Sequence, residues 1–596
     1  MCGIAGALWP TEPAATAAMA TRMSARLAHR GPDDMGSMSL GPAALSHRRL
    51  AIIDRAGSSQ PMRSADGQVA LVYNGELYNF RELRAELGDR GHTFRTTGDT
   101  EVVLQAYLAW GPAFIERFRG MFALAIVDLR LRTLVLARDH FGIKPLYVLT
   151  EPGRFAFASE FQALAPEADR PELDRAAIDD YLRLGYIPAP RSAVRTIAKL
   201  PPAHRAVVSL DRPVYRPERY WRLPTPAPRA RPLAECVEEA GAVIAASVRA
   251  HMVADVSFGS FLSGGVDSAL VTAEMVAAGA RATAFTIGFK EASHDESEQA
   301  AATAAALGVE HRIEVVRPDA LGLLETLVAS YGEPFGDSSA IPTWHVSRLA
   351  RREVSMVLSG DGGDELFGGY DSYRGWRRWL EMPAWKRALR AALAAARPQR
   401  WPPRRELEAN WLRHVAIVSD ADRRALWRPE LDPNPGIPPG FAGAAHGVFA
   451  PRLPQHLDLQ TYLPDDILAK VDIASMAHGL EVRTPLIDLR VAEFALALPD
   501  EALSAADGGK PILRRLLAKR LPARRETAKR GFAVPLDSWL GDRTALHDRL
   551  AGSKSTLREL FRGEAIVRLC RHSPPSALWP LLVLEEWLRQ WRLGRR

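Results

Sequence analysis

Cysteine is scarce in this chain: Cys2, Cys236 and Cys570 are the only three in 596 residues. Three cannot close a disulfide framework, and their spacing matches no zinc site, so a reducing compartment is expected. Long apolar runs are missing as well, and nothing approaches the ~20 residues needed to span a bilayer. The best short candidate, GMFALAIVDL, is interrupted at Asp128 and reads as a buried strand. No basic region followed by an apolar stretch opens the sequence, so no signal peptide is expected and a cytoplasmic location is predicted. An excess of one charge is also lacking, with 77 basic against 70 acidic side chains and a net charge of +7. Arginines scattered through helical stretches read as a solvated surface rather than a nucleic-acid face, despite a sequence pI near 9.3. There is no fixed repeat and no low-complexity tract, and neither a membrane nor a nucleic acid is an expected partner.

A hydrophobic fraction of 47% and a charged fraction of 25% describe a globular chain long enough for two to four domains. The first two hundred residues are strand-rich, with GIAGALW, QVALVYN, RTLVLARD and RFAFAS separated by Gly, Asp or Pro. Helical stretches such as FRELRAELGDRG and TEVVLQAYLAWG lie between them, predicting an α+β layered domain over 2–211. The Pro- and Arg-rich 212–232 is read as a linker. Beyond it, DVSFGSFLSGG runs into SALVTAEMVAAG, and ATAFTIGF, HRIEVVR and VSMVLSG alternate with helices. That rhythm predicts a parallel sheet with helices on both faces, within a second domain over 233–596 whose later part is mostly helical.

The second residue raises a chemical question. Removal of Met1 would place the Cys2 thiol beside its own α-amine, whose reference pKa near 8 lets it accept the thiol proton around neutral pH. Such a pair is an activated nucleophile that needs no histidine. A small buried cysteine that happens to come early is the plain alternative. The neighbours weigh against it: HRGPDD, HRRLAIID, YNGELYN and TTGDTEVV follow in order, then RDHFGIKPLY and FASE. This set resembles the glutaminase domain of amidotransferases with an N-terminal cysteine nucleophile (the Ntn type).

The resemblance implies that Cys2 attacks the side-chain amide of glutamine, releasing ammonia. It implies that Asn74 and the N–H of Gly75 donate to the oxyanion. Arg49 would clamp the substrate's α-carboxylate, with Leu50, Ala51, Ile52 and Ile53 alongside, while Glu76 and Asp99 would lie near its α-ammonium. Taken singly, "NG" could be a hairpin turn and Asp99 a helix N-cap.

In SFLSGGVDSALV, Gly264 and Gly265 let the backbone approach a phosphate at a helix N-terminus, and Ser263 and Ser268 add hydroxyls. No GKS or GKT ends the loop, so it is not a Walker loop. The full string resembles the loop of N-type ATP pyrophosphatases, which cleave ATP between its α- and β-phosphates. LSGDGGDELFGGY, DDILAKVDIASMAHGLEVRTPLID and AKRGFAVPLDSW complete the pattern. With both halves in this order the chain resembles the glutamine-hydrolysing asparagine synthetases over nearly its whole length.

That resemblance implies glutamine, aspartate and ATP as substrates, β-aspartyl-AMP as intermediate, and Mg²⁺ held by Asp267 and Asp364. Leu262, Ile287, Ser359 and Gly360 would line the adenosine site, and Lys529 would stabilise charge on the reacting groups. An internal ammonia tunnel is a further family expectation, and the oligomeric state, a homodimer being one option, is left open. The pattern departs at Asp361, where some members carry a glutamate tied to adenylation; aspartate keeps the charge and shortens the reach by one methylene. Two other readings stand beside this one: a relative that amidates a different carboxylate, such as a cell-envelope precursor, and an RNA-modifying ATP pyrophosphatase.

Overall fold

A computed structural model describes residues 1–316, 320–383, 385–386, 407–442, 444, 446–505, 508–524 and 534–593. Cys2 leads directly into the strand Gly3–Leu8, an interior strand of a six-stranded antiparallel sheet. That sheet runs in the order 197–199, 147–151, 154–158, 3–8, 43–49 and 34–40. A second six-stranded sheet runs 217–219, 204–209, 133–138, 120–128, 69–77 and 62–63. Alternating side chains make both sheets two-sided. Ile4, Leu45 and Phe157 from the first meet Val72, Ala125 and Leu136 from the second in a common core. The outer faces are covered by the helix Pro13–Arg26, through Met19 and Met23, and by the helices Phe80–Asp89 and Asp99–Trp110, through Leu83, Leu87 and Val103. The first domain is therefore the α+β layered architecture expected, and GMFALAIVDL supplies the buried strand Gly120–Asp128.

One plain alternative falls away, and one segment gains structure. Asn74 and Gly75 do not turn a hairpin: they continue the strand Val69–Leu77, where Gly75 pairs with Phe122. The dipeptide's turn preference yields to a run of apolar neighbours that pair on one side with the fully buried strand 120–128. The segment read as a linker contributes the edge strand Pro217–Arg219, paired with His204–Ala206. Proline is tolerated there because an outer strand needs no further partner.

The second domain carries a five-stranded parallel sheet in the order 310–316, 283–289, 258–261, 356–358 and 481–483. Its central strand Phe258–Phe261 feeds the loop that opens the helix Val266–Ala277. The fifth strand, Glu481–Arg483, interrupts the stretch expected to be helical. At three residues it is too short to show a period of two, and its side chains are buried. Among the described residues no helix is long and apolar enough to cross a membrane.

Buried charges tie the domains together. Arg30 reaches Glu160 Oε1 at 2.6 Å and Asp472 Oδ2 at 2.8 Å, while Lys144 Nζ lies 3.1 Å from Asp472 Oδ1. All four side chains are at most 2% exposed. Burial alone would raise the Asp472 carboxyl, but Arg30 and Lys144 more than reverse this and hold it below the usual range. The same balance, with His29 and Arg30, holds Glu160 down. Because these carboxyls titrate lower in the folded chain, their contribution is complete above their unfolded values near pH ~4 and is lost as pH falls through the folded ones. Asp472→Ala leaves two buried cations short of a partner and is expected to cost about 3–5 kcal/mol in chemical denaturation at pH 7. A cost below about 1 kcal/mol, as for a surface pair, would refute a structural role for this bridge.

Candidate active sites

Two centres lie along the chain. At the first, the Cys2 N–H donates to Asn74 Oδ1 at 2.8 Å. This bond turns the amide so that Asn74 Nδ2 faces away, fully buried and without a hydrogen-bond partner. An unpaired buried donor carries a desolvation cost of about 1–3 kcal/mol, which an arriving oxyanion would relieve. The Cys2 thiol is within 4.0 Å of the Leu50 carbonyl. Burial pushes it upward, against the nearby Met1 ammonium, which favours the thiolate.

Arg49 donates to the carbonyls of Arg55 at 2.8 Å and Asp54 at 2.7 Å, so its guanidinium folds the segment containing Leu50, Ala51, Ile52 and Ile53 around the centre. Ala51 N–H is held by Asp33 Oδ2 at 2.8 Å. Asp99 opens a helix, but Gly98 is the cap residue. The Asp99 carboxylate instead accepts from Tyr73 Oη at 2.9 Å and Leu77 N at 3.0 Å, and burial raises it to about 6. Glu76 Oε1 pairs with Arg483 at 3.0 Å, and its burial carries its carboxyl well above the ordinary range. The Met1 ammonium lies 2.5 Å from Glu481 Oε2.

At the second centre, Ser263 N–H and Oγ contact Ser268 Oγ at 3.1 and 3.0 Å, closing the loop around Gly264 and Gly265. Gly264 N–H points at the Glu296 carboxylate, 3.1 Å away, so the loop already presents an amide to an anion. The LSGDGGDELFGGY loop lies directly against this helix N-terminus: a Cβ on Gly360 would fall 2.5 Å from Ser268 N, and one on Gly363 2.6 Å from Asp267 Cγ. Only glycine permits those approaches. Leu262 and Ile287 are buried beside the loop, and Ser359 Oγ donates to Asp361 Oδ2 at 2.6 Å. Burial raises the Asp361 carboxyl.

Asp267 and Asp364 converge. Lys510 Nζ contacts Asp267 Oδ2 and lies 2.7 Å from Asp364 Oδ1. Burial would lower this ammonium's pKa, but the two carboxylates hold it above the usual lysine value. Two hard oxygen donors focused on one cationic point fit a divalent ion. Among the described residues no group of three or more His, Cys, Asp or Glu is arranged to hold a metal. A cation at Asp267 and Asp364 would therefore take its remaining ligands from phosphates and water.

Sequence reasoning did not single out Lys510, Lys470 or Arg483. Lys470 Nζ sits 2.8 Å from Asp337 Oδ2 and 2.7 Å from Ser339 Oγ, and its charge reaches Asp361. For Lys510 a signal existed in GGKP: this lysine has φ +61°, the left-handed region unusual outside glycine, just before a helix. Lys529 lies outside the described residues.

The comparisons agree with this two-centre layout. An asparagine synthase family model matches residues 239–589, and a glutamine amidotransferase domain model matches 1–221. A relative from Mycobacterium bovis is 36% identical over 98% of this chain and 97% of its own. Asparagine synthetase [glutamine-hydrolyzing] 1 of Bacillus subtilis is 31% identical, over 91% of this chain and 88% of its own. Asparagine synthetase B of Escherichia coli is 30% identical over 62% of this chain. With a family model spanning more than half its length and near-complete coverage of relatives above 30% identity, this chain belongs to the asparagine synthase family.

Proposed function

We propose that this chain hydrolyses glutamine at Cys2 and uses the ammonia to convert aspartate and ATP into asparagine, AMP and pyrophosphate. The observation that carries this reading is the strand Glu481–Arg483, which serves both centres at once. The Arg483 side chain holds Glu76 at the thiol centre, while the Arg483 carbonyl accepts from Ser359 N–H at 2.9 Å in the synthetase loop. A chain that only bound RNA, or only cleaved ATP, would have no use for the thiol centre.

In the first half-reaction the Cys2 sulfur attacks the δ-carbonyl of glutamine. Asn74 Nδ2 and the Gly75 N–H receive the oxyanion, ammonia leaves, and water frees glutamate from the thioester. Loss of Met1 turns the Cys2 nitrogen, already seated on Asn74 Oδ1, into the amine that takes the thiol proton. Arg49 and the Leu50–Ile53 segment, with Glu76 and Asp99, form the walls of the glutamine site.

In the second half-reaction the aspartate β-carboxylate attacks the α-phosphorus of ATP and pyrophosphate leaves. Ammonia then displaces AMP from the acyl carbon. The Ser263–Ser268 loop cradles phosphates, and Leu262, Ile287, Ser359 and Gly360 flank the adenosine. Asp267 and Asp364 would hold Mg²⁺, which neutralises charge on the phosphates. Lys510, and Lys529 as carried over from the family, provide ammonium groups that follow the charge onto departing pyrophosphate. Ammonia released into water would largely protonate, so a protected route between the centres suits the chemistry. A cytoplasmic location completes the reading.

Cys2→Ala should abolish glutamine-dependent synthesis and leave ammonia-dependent synthesis largely intact, read as AMP and asparagine with each donor. Equal loss with both donors in a folded protein would contradict the division of labour. Enzyme carrying a blocked Met1, verified by intact mass, should lack glutaminase activity as completely as the alanine variant; full activity there would overturn the role given to the α-amine. Lys510→Met should lower AMP formation roughly 100-fold with either donor while sparing glutamine hydrolysis measured alone. AMP formation at the parent rate would reduce Lys510 to a structural ion-pair partner.

A further inference from the structure

Beside the synthetase loops lies a cavity of about 420 Å³, a volume typical of small-molecule sites. Neither the phosphate loop nor the Asp267–Asp364 pair lines it. It nevertheless shares two walls with that centre. Asp337, which lines it, is the partner of Lys470, and Tyr370, another lining residue, donates to Glu365 Oε1 at 2.6 Å within the LSGDGGDELFGGY loop. Two of the cavity's lining residues therefore contact side chains of the centre where an acceptor would be activated.

Its lining is aromatic and acidic. Tyr462 stands between Tyr186 and Tyr370, with ring centroids 6.2 and 6.1 Å away. The acidic side chains differ in their commitments. Asp458 is satisfied by Tyr373 Oη at 2.8 Å and Trp411 Nε1 at 3.0 Å. Asp337 is satisfied by Lys470 and Ser339. Asp466 differs: it is 4% exposed, no protein donor reaches its Oδ1, and its side chain lies against the Asp337 carboxyl. Its position follows from a single turn of π-helix over Leu463–Ile467, a widened turn often found at functional sites. The turn sends Asp465 to the Ala189 N–H at 2.8 Å and leaves Asp466 on the cavity. Burial, then the neighbouring Asp337 charge, pushes the Asp466 carboxyl well above its ordinary range.

A buried acid whose Oδ1 no protein donor reaches, set in an aromatic cavity, describes a receptor for an organic cation, whose arrival draws the Asp466 carboxyl into its ionised form. Aromatic rings attract a cation through their quadrupole, and the Asp466 carboxyl, once ionised beside that cation, offers it a charge-assisted hydrogen bond.

We propose that this cavity is the amino-recognition part of the acceptor site, with Asp466 and the Tyr462 face receiving the ammonium of the acid whose carboxyl is activated beside Asp361 and Lys470. The inference rests on the acceptor reading above and adds to it a residue that tells an amino acid from the same acid without its amine. Tyr186 comes from the first domain, so the subsite is complete only when both domains are in place.

Aspartate and succinate, which differ by that one amine, provide the test. The full-length parent enzyme should favour aspartate over succinate in kcat/KM for AMP formation by roughly 100-fold or more, and Asp466→Asn should remove most of that preference. The loss should appear as a rise of roughly 30-fold in the KM for aspartate. Succinate turnover, the KM for ATP and the glutaminase rate should stay near parent values. Tyr462→Leu should weaken aspartate several-fold in the same selective way. A proportional fall with aspartate and succinate, or an unchanged KM for aspartate, would overturn the proposal.

Calorimetric titration with ethylammonium chloride, an ammonium without a carboxylate, reads the subsite apart from turnover. Binding to the parent that is lost in Asp466→Asn supports the site, and no binding to the parent overturns it. Ammonium binding without any aspartate-dependent AMP formation would fail the acceptor assignment while leaving the subsite standing.

Discussion

Everything between the two centres depends on buried charge that neither domain can neutralise by itself. Arg30, from the first domain, also donates to the Cys2 carbonyl at 3.0 Å, so the residue that carries the nucleophile is fixed by a guanidinium whose second anchor is Asp472. Arg483, from the second domain, is fully buried between Glu76 and its own neighbour Glu481. Removing such charges from water is costly unless each finds partners of good geometry. The partners here lie hundreds of positions apart; the Met1 ammonium and Glu481 are separated by 480 residues. The interface is therefore specific in register, and a shift of either domain would strand several ions at once.

The helix Leu468–Met476 is where this constraint meets the chemistry. Asp472 faces the Arg30 and Lys144 pair, and two residues earlier Lys470 faces Asp337 and the Asp361 loop. A displacement of Asp472 would be felt at Lys470 within one turn. Coupling of this kind needs no long relay of side chains, because one rigid element borders both centres.

What could be read from residues alone follows from the same geometry. Cys2, Asn74 and the Ser263–Ser268 loop were legible because each sits in a contiguous string whose chemistry is local. The sheet alternation was legible where strands ran six residues or more, as in Gly120–Asp128. Glu481–Arg483 was not, being three residues long inside helical sequence. Lys510 and Arg483 escaped because their roles are set by partners far away in the chain, and spacing carries no trace of such pairs. The hairpin turn that Asn74–Gly75 could make taken singly is absent for a related reason: pairing along strand 120–128 decides that backbone, whatever the dipeptide prefers alone.

The glycines of the LSGDGGDELFGGY loop hold their positions for two unlike reasons. Gly360 lies against backbone, at Ser268 N, so the path of the chain itself forbids a side chain there. Gly363 and Gly369 are hemmed in by side chains, Asp267 for one and Asp364 with Lys510 for the other. In a lineage that abandoned ATP but kept the fold, Asp267 and Lys510 would be free to shrink, and these two glycines would then be free to vary. Gly360 would stay. The signature would thus decay unevenly, and a surviving Gly360 beside a drifted Gly363 and Gly369 would mark a retired active site.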